Sequence, residues 1–364
     1  MYEKIDKVNI ELTDKCNSRC PQCHRTDSEN NCKPHKWIQN IEWTFEDFKK
    51  AFPDPHCYPD FYFCGTFGDP LMCSDLYEIV KYIMDNSKSK VMLSTNASVK
   101  DENWWFIFSQ WGGRVQVNFA IDGLEDTNHL YRVGTNFKKI MKNAQAFISG
   151  RGYANWSFIV FKHNQHQVEE ARELSIEMGF RAFEVIKSER WNSDLSEDHH
   201  TYNYKGKQYR LDPPTDEYKN KKTDLWHVDD DKEKVIDCYA IKEKEIWIDC
   251  KGYVTPCCFF QNKLYLLMAH AENNFNISDE LKDYEKGKLI DGGYEWVTYQ
   301  QLPYKTMKRI LGGFDELNIF KHTLEEINKS HFLNNYIMGH VWENKLNSCY
   351  NVCGKGIQKE IVVL

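Results

Sequence analysis

The feature that most restricts what this chain can fold into is an alternation. Up to about residue 187, six β-rich runs are separated by helical stretches. The runs are "KVNIELT" (7–13), "FYFCGT" (61–66), "KVMLST" (90–95), "RVQVNFAID" (114–122), "NWSFIVF" (155–161) and "AFEVIK" (182–187). β-Branched and aromatic residues dominate them, as expected of strands. Between them lie "TFEDFKKAF", "DLYEIVKYIMDN", "DENWWFIFSQW", "TNFKKIMKNAQAFISG" and "QHQVEEARELSIEMGF". The first opens on Thr44 with Asp47 three residues on, a capping pattern, and the last two run to Gly150 and Gly179, where glycine ends a helix. Strand then helix, repeated, calls for an α/β fold with a parallel sheet, because parallel neighbours need a crossover connection between them. The sheet is either a partial barrel or a doubly wound one, and periodicity does not choose.

After residue 187 the character changes. Residues 188–237 are charged, rich in tyrosine and poor in aliphatics, which reads as a linker or a substrate-facing excursion. From 238 a second, smaller α+β unit is expected to run to 364. It holds a hairpin-like "KEIWIDCKGYVTPCC" around Lys251-Gly252, helical stretches such as "HTLEEINKSHFLNNYI", and "NSCYNVCGKG". The expected organisation is therefore 1–187, 188–237 and 238–364.

Composition narrows the function classes. With 364 residues, 41% of them hydrophobic, the chain can bury a large core. No run approaches the ~20 apolar residues that span a bilayer, and the first residues form no signal-peptide core, so the expectation is a cytoplasmic protein with no membrane partner. A net charge of −7 argues against a nucleic-acid partner, whose phosphates call for a basic surface. Thirteen cysteines in such a chain point to metal or redox chemistry rather than to disulfides.

Three of them stand together in "TDKCNSRCPQCHR", at Cys16, Cys20 and Cys23. They follow the first strand, so they occupy the first loop at the carboxyl end of the sheet, where α/β folds place their chemistry. Zinc would call for a fourth ligand, and His24, adjacent to Cys23, is awkward in the same tetrahedron. Thiolates at short spacing match iron–sulfur ligation better. Three protein ligands on four irons leave one iron open.

On these residues the chain resembles the radical S-adenosylmethionine (radical SAM) superfamily, whose hallmark CxxxCxxC is matched by Cys16, Cys20 and Cys23. The resemblance implies a partial (β/α)6 TIM-like barrel carrying a SAM-binding 4Fe-4S cluster. Its open iron chelates the amino and carboxylate groups of SAM, and an electron then breaks the sulfonium bond to give a 5'-deoxyadenosyl radical. One departure concerns the adenine contact: the residue before the third cysteine is usually aromatic, and here it is Gln22. "GTFGDPL" is similar to the family's GGEP segment, with Gly68, Asp69 and Pro70 matching and aspartate replacing glutamate; the resemblance implies acceptance of SAM's amino group there. "STNAS" offers Ser94, Thr95 and Asn96 as a ribose-contacting segment, and "IDGLEDTNHLYR" resembles the DG…R segment, implying Asp122 near SAM or substrate and Arg132 as a fork for the SAM carboxylate. The alternative for Arg132 is a surface i,i+4 pair. Asn164 in "FKHNQH" is a further polar candidate.

Cys238, Cys257, Cys349 and Cys353, with Gly252 between the first two, resemble the twitch module, the shortened SPASM domain. The resemblance implies an auxiliary 4Fe-4S cluster beside a small hairpin, with zinc on the same residues as the alternative. Cys250 and Cys258 rival the named ligands; strand alternation would put Cys257 and Cys258 on opposite faces. Cys32, Cys57, Cys64 and Cys73 are assigned to packing. The triplet begins at residue 16, so the reading includes no leader-peptide-binding domain ahead of the barrel.

The function expected from the resemblance is SAM cleavage and hydrogen abstraction to modify a peptide or protein, with a flavodoxin- or ferredoxin-type reductant. Oxidation or rearrangement of a small molecule such as a sugar, nucleotide or cofactor precursor is the enzymatic alternative. An iron–sulfur carrier or zinc-binding module is the non-enzymatic one. The residue that abstracts or donates hydrogen is not assigned.

Overall fold

In a computed structural model the described residues are 2–188, 199–219, 238–258, 261, 314–330, 333 and 360–363. The first strand, β1 (Lys7–Ile10), leads into a ribbon of β2 (Thr26–Asp27) and β3 (Lys33–Pro34). Then follow α1 (Phe45–Ala51), β4 (Asp60–Phe63), α2 (Leu76–Asn86), β5 (Lys90–Thr95), α3 (Glu102–Phe108), β6 (Val115–Ala120), α4 (Asn128–Tyr131), α5 (Phe137–Ser149), β7 (Tyr153–Ile159), α6 (Val168–Met178) and β8 (Ala182–Ile186). All six runs read from the sequence form strands, and α1 starts at the cap the sequence shows. Thr44 accepts from the Asp47 amide while the Asp47 carboxylate accepts from Thr44, a reciprocal capping box, and α6 stops at Gly179 in the left-handed conformation.

The sheet order β1-β4-β5-β6-β7-β8 follows the chain without reversal. β4 to β8 pair in parallel at each step. A doubly wound sheet reverses its order at a switch point, so the unbroken order decides for the barrel type that periodicity left open. Beyond β8 the edge is taken by β13 (Glu360–Val363), which pairs with it antiparallel.

Burial alternates along β4 to β8, and the two faces differ in kind. One face carries Phe61, Phe63, Leu93, Phe119, Trp156 and Phe183, all fully buried. Helix side chains meet them: Phe48 of α1 against Phe61 and Phe63, and Trp105 of α3 and Phe147 of α5 against Phe119. Rings of this size and spacing supply most of the apolar burial. The other face carries Tyr62, Ser94, Asn118, Asn155, Ser157 and Glu184, all partly exposed.

The chain divides into two compact units, Met1–Val8 with Asp224–Ile357 and Asn9–Thr223 with Gln358–Leu364. The second therefore includes β9 (His200–Tyr204) and β10 (Lys207–Leu211), an antiparallel hairpin inside the charged stretch. Its two-residue loop, Lys205-Gly206, has positive φ at both positions, the turn that suits a tight hairpin. Tyr202 and Leu211 are buried with Cys20, Cys32, Tyr131, Val133 and Phe161.

The other unit contains α7 (Tyr239–Lys242), the antiparallel pair β11 (Glu245–Ile248) and β12 (Val254–Thr255), and α8 (Leu324–Lys329). The hairpin read around Lys251-Gly252 forms: Asp249 Oδ1 accepts from the amides of Lys251 and Tyr253, both at 2.9 Å. Gly252 sits at φ +86°, and a Cβ there would lie 2.6 Å from the Phe320 ring. β12 ends at Thr255, so Cys257 and Cys258 lie beyond the strand and strand alternation does not separate them. No helix among the described residues is long and apolar enough to cross a membrane.

Candidate active site

The loops that leave the carboxyl ends of β1, β4, β5 and β6 meet around the three cysteines. The junction is organised by a carboxylate that the sequence reading passed over. Glu11, one residue past β1 and buried, accepts from the amides of Phe67 at 2.5 Å and Gly68 at 2.9 Å. A charged residue closing an otherwise apolar buried run was the available signal. Opposite, the Asp69 amide donates to Lys15 O at 2.8 Å. Gly68 lies against the cysteine loop so closely that a Cβ would stand 1.8 Å from Thr13 O, which only glycine allows.

Asp69 is buried and its carboxylate is fully engaged. Oδ1 accepts from the Leu71 amide at 3.0 Å and Thr95 Oγ1 at 2.8 Å; Oδ2 accepts from the Asn96 amide at 2.9 Å and its Nδ2 at 2.7 Å. Two carboxylate oxygens offer about four acceptor positions, so these four donors fill them. Asp69 therefore ties the loop after β4 to the loop after β5. Burial raises its carboxyl above the usual range, against the lowering by these donors. Pro70 is buried too and opens a single helical turn, Pro70–Met72, capped by Asp69. Thr95 and Asn96 are buried, and Asn96 Nδ2 also donates to Asn17 Oδ1 at 2.9 Å and stands 3.9 Å from Cys16 Sγ. Of "STNAS", Ser94 alone faces the exposed side of the sheet, its Oγ 2.5 Å from the Tyr62 hydroxyl.

The thiols are held by polar contacts. Cys16 Sγ accepts from the Ser18 amide at 3.4 Å, Cys20 Sγ lies 3.1 Å from Ser18 Oγ, and Cys23 Sγ is 3.9 Å from Thr66 O. Burial pushes the Cys16 thiol well up, and Asp69 and Cys20 beside it push further. Among the described residues, no three His, Cys, Asp or Glu side chains converge as ligands of a single metal ion. Cysteines of a four-iron cluster bind separate irons, so they need not converge on one point. An all-thiol set in a loop, with an N–H donor to Cys16 and a hydroxyl beside Cys20, fits such a cluster.

Arg132 departs from its alternative, a surface pair, and is bonded to Asp122. Asp122 is fully buried; its Oδ1 accepts from the Ile159 amide at 2.6 Å and its Oδ2 from Arg132 Nε at 2.5 Å. Arg132 Nη1 reaches Cys20 Sγ at 3.7 Å, so the guanidinium is a half-buried link and not a surface i,i+4 partner. Asn164 is fully buried behind this pair, with Nδ2 donating to Asp122 O and Ile159 O, both at 2.9 Å, and Oδ1 accepting from the Phe161 amide. Gln22 is half-buried next to Cys23.

Of the packing cysteines, Cys32, Cys64 and Cys73 are buried, while Cys57 is exposed with its Sγ 3.5 Å from Asp54 Oδ2. In the other unit, Cys238 and Cys257 both raise the Tyr2 phenol, after burial as the leading cause, so they share its neighbourhood. Cys258 Sγ lies 3.5 Å from the Tyr239 hydroxyl, and Cys250 is buried in the hairpin turn. Cys349 and Cys353 lie outside the described residues.

A family model described as the radical SAM superfamily matches residues 10–175. The 7,8-dihydro-6-hydroxymethylpterin dimethyltransferase of Methanocaldococcus jannaschii is 26% identical over 143 residues, 38% of this chain and 27% of that protein. The match thus spans about a quarter of that relative's length. Among solved structures, histidine-tagged anSMEcpe with bound AdoMet superposes with a TM-score of 0.51 at 16% identity, covering 96% of this chain and 84% of that one. Native anSMEcpe with bound AdoMet and the Kp18Cys peptide gives 0.51 at 16% identity, over 96% and 88%. Streptococcus suis SuiB gives 0.49 at 14%, over 71% of this chain and 61% of that one. For the two anSMEcpe structures the likeness bears on the fold alone.

Proposed function

Residues 10–175 are a radical SAM superfamily domain, and from that premise we propose that the chain is an enzyme that cleaves SAM at the Cys16–Cys20–Cys23 loop and modifies a peptide or protein by hydrogen abstraction. The observation that carries the reading is the meeting of the cysteine loop with the loops after β4, β5 and β6, through Glu11, Asp69, Asn96 and Arg132. When bound, a 4Fe-4S cluster with one open iron would chelate SAM and supply the electron, delivered by a flavodoxin- or ferredoxin-type reductant, that breaks its sulfonium bond.

The chain's own residues divide by exposure. Gly68 and Ser94 are partly exposed, so they are assigned to SAM, the former through the backbone of 66–68 that Glu11 holds in place. Asp69, Pro70, Thr95, Asn96, Asp122 and Asn164 are buried, and Arg132 is half-buried against Asp122 and Cys20; these are assigned to positioning those surfaces and the thiols. Cys238, Cys257, Cys349 and Cys353 are assigned to an auxiliary 4Fe-4S cluster in a twitch-like unit. The shared neighbourhood of Cys238 and Cys257 at Tyr2 supports that assignment for the first two.

A peptide substrate is supported by the peptide named with the anSMEcpe structure. A small polar molecule is the second reading, favoured by the exposed row Ser94, Asn118 and Asn155, neighbours in register across β5, β6 and β7, and by the methyltransferase relative. The test is 5'-deoxyadenosine release from SAM by anaerobically reconstituted, reduced protein. Release that disappears in C16A/C20A/C23A supports the reading. Release retained in that variant overturns the site.

A further inference from the structure

Loops that follow β6 usually need only a turn and a cap, yet "YRVG" (131–134) is built into the cysteine loop. The Arg19 amide donates to Val133 O at 2.8 Å, and a Cβ on Gly134 would lie 3.5 Å from Asn17 O. The Arg132 main chain is itself fixed: its amide donates to Asn128 O at 2.8 Å and its carbonyl accepts from Thr135 Oγ1 at 2.7 Å. From that anchor the guanidinium bridges two acceptors, the Asp122 carboxylate through Nε and Cys20 Sγ through Nη1. Its side chain is 17% exposed and that of Asp122 0%, so water screens neither charge well.

Resting on the cluster reading above, we propose that Arg132 is a positioning residue that sets the reduction potential of the SAM-binding cluster through Cys20 Sγ. The physical reason is a sign. Reduction adds one electron and makes the site more negative by one charge. A cation and N–H donor aimed at a ligating sulfur favour the more negative state, so they raise the potential. Asp122, bonded to the far side of the guanidinium, offsets part of that charge. The pair is therefore a directed dipole with its positive end at Cys20. Ser18 Oγ at 3.1 Å from the same sulfur is a neutral second contact.

The two members of the pair should move the potential in opposite directions, which a purely structural role would not do. The experiment is an EPR-monitored titration with dithionite of reconstituted full-length protein, without SAM, following the signal that changes when SAM is then added. Iron per chain is measured in parallel. In R132Q the midpoint is expected to fall by a tenfold change in the reduction equilibrium, about 59 mV for one electron. R132K should recover at least half of that shift, and D122N should move the midpoint upward. Wild-type midpoints in R132Q at full iron content overturn the proposal. Should R132Q not hold its cluster, D122N decides: an unchanged or lower midpoint there also overturns it. Failure of the wild type to form any SAM-responsive cluster would instead overturn the underlying site assignment, so the two failures are told apart.

Discussion

The two faces of the parallel sheet are made of the same strands, residue by alternate residue, and they do different work. Phe61, Leu93, Phe119 and Trp156 point to the helices and are fully buried, whereas Tyr62, Ser94, Asn118 and Asn155 point the other way and stay partly exposed. On the first face the partners are rings, such as Trp105 5.2 Å from Phe119; on the second they are hydrogen bonds, such as Asn155 Nδ2 to Asn118 Oδ1 at 3.0 Å. The difference teaches that stability and chemistry can be assigned to alternate positions of one strand, because side chains alternate across a pleated sheet. The loops at the carboxyl ends of β1, β4, β5 and β6 then meet at the cysteines.

The largest expected effect tests the chemical side. C20A should abolish 5'-deoxyadenosine release while shifting the melting temperature little; release at the wild-type rate would break the division. Next, W156A on the helix-facing side should lower stability by about 3–5 kcal/mol, read by urea denaturation, because it empties a fully buried site. Its rate per folded molecule should hold. E11A comes third. Losing a charged acceptor for two amides should cost about 1.5–3 kcal/mol and raise the KM for SAM, since the backbone of 66–68 loses its brace. A stability loss with unchanged KM would show that the brace is only structural.

N118A should change stability by about 0.5 kcal/mol or less and alter substrate-stimulated cleavage, the smallest effect on folding and the sharpest contrast with W156A. A pH measurement completes the series. His163 stacks on Phe161, and burial, with His129 and His166 adding, lowers its pKa to about 4. The unfolded chain binds that proton near the ordinary histidine value of about 6.5, so the neutral ring's contribution is complete above it. It is lost as pH falls from there toward 4. H163F should flatten that part of the stability curve, and an unchanged acid limb would remove His163 from the account.

Much of the architecture was written locally. The six strand runs, the Thr44–Asp47 capping box and the hairpin turn at Lys251-Gly252 are matters of residue type and short spacing, and each forms. The cysteine triplet and the family resemblance likewise came from local pattern and order. The β9–β10 hairpin was less visible, because its charged and tyrosine-rich strands lack an apolar period, although Lys205-Gly206 between two such runs was a turn signal.

What the tertiary structure alone decided is where each polar group points. The family resemblance made Asp69, Asp122 and Arg132 candidates for contact with SAM or substrate. Their partners, Thr95 and Asn96 for the first and one another and Cys20 for the other two, support the positioning roles proposed for them. Glu11 had no motif to mark it, yet its contacts with the amides of Phe67 and Gly68 join loops 56 and 57 residues apart. A sequence specifies local conformation through short-range sterics and hydrogen bonds. The partner of a buried charge depends on which distant loops arrive beside it, and that is settled only when the strands are assembled in their order.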